Sequence, residues 1–136
     1  MPITEPDFIQ VAVGIAVDTE QRVLVAQRPS GKDFAGQWEF PGGKIEPDED
    51  VYDALVREFK EELNLEIHAA TPLFSCRHEY ADRRVELHFW RITNYSGDVK
   101  GLEGQQFAWA KADDLKTIDF LEGNRALLER VCNLVL

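Results

Sequence analysis

Three glutamates, Glu58, Glu61 and Glu62, stand within the stretch Arg57-Glu58-Phe59-Lys60-Glu61-Glu62. At about 100° per residue on a helix, their side chains fall within one arc of roughly 100°. Like charges three and four residues apart repel and destabilise a bare helix. Solvent and salt, with Arg57 and Lys60 nearby, are one remedy, and they would make this an ordinary solvated face. Binding of divalent cations is the other, because hard carboxylate oxygens suit Mg²⁺. Upstream, Pro41-Gly42-Gly43-Lys44-Ile45-Glu46 reads as a loop. Its paired glycines would let backbone approach a ligand and offer N–H groups to a phosphate. A glycine loop alone is usually a turn; one that leads into clustered carboxylates points to metal-assisted phosphate chemistry.

The elements that must carry these residues are readable from patterning. Residues 9–17, I-Q-V-A-V-G-I-A-V, suit a strand buried on both faces. A turn at 18–21 and an apolar run at 22–27 predict the return strand of a hairpin. Pro29, Gly31 and Gly36 predict a loop before the short apolar island Trp38-Glu39-Phe40. A helix is predicted over 50–63, with start signals at Pro47 and Asp48 and a core stripe of Val51, Leu55, Phe59 and Leu63. Further strands are predicted at 66–74, 76–80, 85–93 and 106–109. A second amphipathic helix is predicted at 124–134, with Leu127, Leu128, Val131 and Leu134 on its buried side. No repeat or linker divides the chain, so one mixed α/β domain over 1–136 is expected.

At 136 residues and a formal charge of −10, the chain can bury one core and repels polyanions. Affinity for a duplex comes largely from Lys and Arg displacing counterions, so no duplex nucleic acid partner is expected. A phosphorylated small molecule remains possible where metal ions bridge it to the acids. No basic stretch followed by an apolar one opens the chain, and the longest apolar run is too short to span a bilayer. A cytoplasmic protein without a membrane partner is expected, with Cys76 and Cys132 as reduced thiols.

The segment from Gly43 to Leu65, GKIEPDEDVYDALVREFKEELNL, resembles the Nudix box, G-x5-E-x7-R-E-U-x-E-E-x-G-U with U apolar. Gly43, Glu49, Arg57, Glu58, Phe59, Glu61, Glu62 and Leu65 fall in place. Asn64 stands where the pattern has glycine, and Asn is the best substitute at a helix end that needs positive φ. The resemblance covers most of the chain. Residues 38–46, Asp82-Arg83, 101–105 and 122–124 are similar to stretches of the MutT-type branch, which removes oxidised guanine nucleotides.

That resemblance implies the Nudix fold, an α+β arrangement with a mixed β-sheet sandwiched between α-helices. It implies Mg²⁺, with Mn²⁺ as a substitute, held by Glu58, Glu61, Glu62, Glu103 and the carbonyl of Gly42. Glu58, Glu61 and Glu103 would be the catalytic carboxylates, with Glu58 or Glu103 orienting the attacking water. Gly43, Glu49 and Arg57 would be motif positions, with Glu49 and Arg57 pinning helix and loop. Arg28, Glu39, Phe40, Pro41, Gly42, Asp82, Arg83 and Asn124 would line the nucleotide. Asp33 stands where the branch carries a phosphate-side histidine. The implied reaction turns a nucleoside triphosphate, 8-oxo-dGTP first, into the monophosphate and pyrophosphate. A cytidine nucleotide is the alternative substrate, and a catalytically silent sensing module the alternative of another class.

Several of these residues also have plain structural readings. Asn124 could be a helix N-cap, Arg28 a solvated loop residue, Asp82-Arg83 a polar turn and Phe40 core. His68, His78 and His88 have no metal-ligand spacing. His88, in a strand pattern with Phe89 and Trp90, reads as structural. Trp38, Trp90 and Trp109 read as core or pocket wall.

Overall fold

The computed structural model describes residues 8–32, 34–120, 122–125 and 128–135. Strand β1 (Phe8–Ala16) is followed by β2 (Val23–Gln27), β3 (Trp38–Glu39), β4 (Gly42–Lys44) and helix α1 (Val51–Leu63). Then come β5 (Glu66–Glu79), β6 (Arg84–Ser96), β7 (Phe107–Ala110) and the helices α2 (Ala112–Leu115), α3 (Glu122–Arg125) and α4 (Leu128–Val135). The strands form a four-stranded mixed sheet, β4-β1-β6-β5, and a three-stranded antiparallel sheet, β3-β2-β7.

Apart from Gln10, β1 carries no polar side chain because it separates two cores. Val13 and Ile15 join Val25, Phe40, Phe89, Phe120 and Val131 in one. Ala12 and Ala16 face Leu55, Phe59 and Leu63 of α1 in the other. Each such aliphatic or aromatic side chain contributes about 1.5–3 kcal/mol by leaving water. Between them, Gly14 has no room for a side chain, since a Cβ there would stand 2.6 Å from the Phe59 ring.

The hairpin expected from 9–27 does not form. β1 pairs in parallel with β6 and antiparallel with β4, so both its edges are taken. After a single Val17–Val23 bridge the chain leaves for the second sheet. Asp18 holds this turn by accepting the N–H groups of Glu20 and Arg22, each at 2.9 Å. The separate strands expected at 66–74 and 76–80 are one strand, β5, whose register shifts three times between Ile67 and Phe74. It is an outer strand of its sheet, where Pro72 can lack an N–H without breaking a ladder.

Helix α1 starts where expected, with Asp50 as its N-cap: the Asp50 carboxylate accepts the Asp53 N–H at 2.8 Å. It ends at Asn64 in the left-handed conformation, φ 61°, as the glycine of the pattern would. The predicted helix over 124–134 is two helices, α3 and α4, and Asn124 lies within the first rather than capping the second. Leu128 and Val131 are buried as expected; the side chains of Leu127 and Leu134 lie outside the described residues. Among the described residues no helix is long and apolar enough to cross a membrane.

Candidate active site

Arg57 organises the acidic helix. Its Nε and NH2 donate to Glu49 at 2.8 and 2.9 Å, and NH2 also reaches the Lys44 carbonyl at 2.9 Å. NH1 donates to Glu58 at 2.7 Å and approaches Glu61 at 3.5 Å. One guanidinium thereby ties α1 to β4 and to the segment before the helix. The Arg57 hydrogen bonds hold the Glu49 carboxyl down to about 2, and Glu49 in turn raises the Arg57 pKa.

The loop expected at Pro41 to Glu46 is in part a strand: Gly42, Gly43 and Lys44 pair with Val13, Ala12 and Val11. Close packing leaves no room for a side chain at either glycine. A Cβ on Gly42 would stand 1.9 Å from the Ala12 carbonyl oxygen, and one on Gly43 2.4 Å from the Glu58 carboxylate carbon. Glu58 is thus laid flat across Gly43 by Arg57.

The segment after β6 is fastened to the end of α1. Lys100 N–H donates to the Leu63 carbonyl, and Leu102 N–H and Gln105 Nε2 donate to the Glu62 carbonyl, at 2.9, 2.9 and 3.2 Å. Gln105 Oε1 accepts the Glu103 N–H at 2.9 Å. This buried glutamine brings Glu103 to the acidic helix. In the sequence it reads only as a polar residue in a glycine-rich turn.

Glu58, Glu61, Glu62 and Glu103 line one cavity of about 410 Å³, a volume suited to a small-molecule ligand. Burial drives the Glu62 carboxyl far above its ordinary range, reinforced by its hydrogen bond to Glu58 and by the negative charge of Glu58, Glu103 and Glu39. Glu62 thus favours its protonated form more than an ordinary carboxyl does, where four carboxylates crowd together. A divalent cation would relieve that repulsion, and an all-oxygen donor set fits Mg²⁺. Among the described residues no three of these side chains form a ready coordination shell, with Glu58 drawn toward Arg57 instead.

The other predicted ligand residues divide. Arg28, Glu39, Phe40, Pro41, Gly42, Arg83 and Asn124 line the same cavity. Arg28 NH1 meets both Glu39 oxygens at 3.2 and 3.4 Å. Burial raises the Glu39 carboxyl while Arg28 opposes the shift. Asp82 does not line this cavity and faces a shallower depression at the β5–β6 turn. Phe40 is 2% exposed and packs against Phe89 and Phe120. Asn124, 5% exposed, accepts the Phe40 N–H at 2.8 Å through Oδ1. Its amide nitrogen has no protein acceptor among the described residues and belongs to the cavity wall. Asp33 lies outside the described residues. His88 is satisfied at both ring nitrogens, by Ser75 at 2.8 Å and Gln10 at 2.7 Å, and is structural.

The family described as NUDIX domain matches residues 12–130. The CTP pyrophosphohydrolase of Escherichia coli is 36% identical over 122 residues, 90% of each chain. The 8-oxo-dGTP diphosphatase of Haemophilus influenzae is 33% identical over 126 residues, 93% of each. Among solved structures, the E. coli ORF135 protein superposes with a TM-score of 0.83 at 34% identity, covering 98% of this chain and 95% of the other. Fold, acidic helix and cavity together define a hydrolase of phosphoric anhydrides. The chain belongs to the Nudix family and is a MutT-type pyrophosphohydrolase.

Proposed function

We propose that this cavity hydrolyses a nucleoside triphosphate to the monophosphate and pyrophosphate, with an oxidised purine nucleotide such as 8-oxo-dGTP as substrate. The carrying observation is the convergence of Glu58, Glu61, Glu62 and Glu103 on the cavity that also holds the buried Asn124 amide. The four carboxylates, with the Gly42 carbonyl, would hold Mg²⁺ or Mn²⁺. Bound there, the metal would neutralise polyphosphate charge and acidify a water.

The protein's own groups have distinct tasks. Arg57 orients Glu58 by donating to it at 2.7 Å, which suits Glu58 to holding metal rather than to taking a proton. Glu103 is the better base: among the described residues its carboxylate meets only Lys32, at 3.8 Å. It would take the proton of the attacking water as the new P–O bond forms, while the bridging oxygen leaves with pyrophosphate. Arg28 is positioned to exchange Glu39 for phosphate oxygens. The Asn124 Nδ2 would donate to a carbonyl of the base. Such an enzyme clears damaged precursors from the cytoplasmic nucleotide pool before replication, without touching duplex DNA, which its charge of −10 would repel.

A second reading, a cytidine triphosphate as substrate, is favoured by the 36% identity to a CTP pyrophosphohydrolase. A panel of triphosphates with Mg²⁺, followed for rate and product, tests both. Pyrophosphate release from 8-oxo-dGTP at the highest kcat/KM supports the first, and from CTP the second. Activity undiminished in excess chelator, or release of orthophosphate, sinks the mechanism.

A further inference from the structure

Phe40 lines the cavity but is only 2% exposed, so a base there has little of that ring to stack on. Three large apolar side chains are exposed among the described residues, and of these only Phe34, 42% exposed, lines the cavity. Tyr80 and Arg83 line it too. The Phe34 and Tyr80 ring centroids are 5.4 Å apart, and the Arg83 guanidinium lies 5.9 Å from the Phe34 centroid. Tyr80 is steadied by its N–H, which donates to the Arg83 carbonyl at 2.8 Å, and by the His78 ring set edge-on at 4.6 Å.

The backbone adds a second observation. Phe34 has φ +60°, a left-handed conformation that Gly, Asn or Asp adopts with less strain than an aromatic residue. The two glycines of the same loop, Gly31 and Gly36, take φ values of +91° and +90°. The sequence therefore keeps a bulky ring at a strained position and half in water, against an aromatic and a guanidinium at a cavity wall. Core packing does not ask for this. Backbone strain of this kind clusters at ligand-binding sites, and here it coincides with a ring at a cavity wall.

We infer that Phe34, backed by Tyr80 and Arg83, is the platform on which the nucleobase stacks. This rests on the nucleotide reading of the cavity and divides the work within it. Every base has a π-face, so Phe34 supplies affinity for the base as such, while the Asn124 amide reads an edge.

The test compares dGMP with ribose 5-phosphate, which lacks a base, by titration calorimetry in Mg²⁺ on wild type, Phe34→Ala and Phe34→Trp. Phe34→Ala should weaken dGMP by roughly five- to 150-fold, the range of base–aromatic stacking. Ribose 5-phosphate should bind both proteins alike, and Phe34→Trp should recover dGMP affinity. KM for the triphosphate should rise with the dGMP dissociation constant while kcat holds. Equal losses for both ligands, or none for dGMP, would overturn the platform. If wild type releases pyrophosphate from triphosphates and Phe34→Ala changes nothing, only the platform falls. If wild type cleaves no nucleoside triphosphate, the functional reading falls and takes the platform with it.

Discussion

Asn124 joins stability to specificity through the two ends of one amide. Its Oδ1 accepts the Phe40 N–H at 2.8 Å, and Phe40 is 2% exposed. Asn124→Ala leaves that N–H buried without a partner, a cost of about 1–3 kcal/mol. Unfolding entropy of about 2.1 cal/mol/K per residue, over 136 residues, makes this a fall in Tm of roughly 4–10 °C. Asn124→Asp keeps the oxygen that Phe40 needs and removes the Nδ2 donor. It should melt close to wild type, yet lose roughly five- to 150-fold in its preference for 8-oxo-dGTP over dGTP, the worth of one buried hydrogen bond to the base. The assays are thermal melts followed by circular dichroism, and kcat/KM for both nucleotides. If Asn124→Ala melts like wild type, the Phe40 bond holds nothing. If Asn124→Asp is stable and discriminates normally, the base is not read here.

Three further outcomes follow from the acidic helix. Gly43→Ala would place a Cβ 2.4 Å from the Glu58 carboxylate carbon, so turnover should fall at least ~100-fold, on the scale of lost electrostatic catalysis; a near-normal kcat would show that Glu58 need not lie there. Glu61→Gln removes a ligand's charge while keeping its shape and should cost a similar ~100-fold in kcat, and a variant that retains turnover would leave Glu61 as solvated surface. The third concerns pH. Glu62 has a folded pKa raised above its unfolded value, so the native state binds more protons above the ordinary carboxylate range. Metal-free protein should therefore lose stability as pH rises from that range toward the raised pKa. Saturating Mg²⁺ should flatten the slope and release a proton on binding, which melts in chelator and in Mg²⁺ across pH 5–9 would detect. A metal-free melting temperature that climbs with pH would refute the crowding of Glu62.

The sequence by itself determined what depends on local spacing. The helix of 51–63, its carboxylate face and its left-handed end at Asn64 follow from periodicity, backbone chemistry and the ordered pattern from Gly43 to Leu65. The strand character of β1 followed from its apolar run, and the structural role of His88 from alternation. Tertiary structure decided whatever depends on which edges and faces meet. An apolar run before a turn looks like half of a hairpin until both its edges are claimed from elsewhere, as β4 and β6 claim those of β1. Paired glycines look like a loop until the Ala12 carbonyl and Glu58 are found where side chains would be. Asn124 looks like a cap because a helix follows it, and only folding brings it to the Phe40 N–H, 84 residues away in sequence. The same holds for the two aromatics. Phe40 and Phe34 are equally apolar as letters and line the same cavity, but one is packed against Phe89 and Phe120 at 2% exposure and the other is 42% exposed, because burial is a property of the packed neighbours and not of the residue.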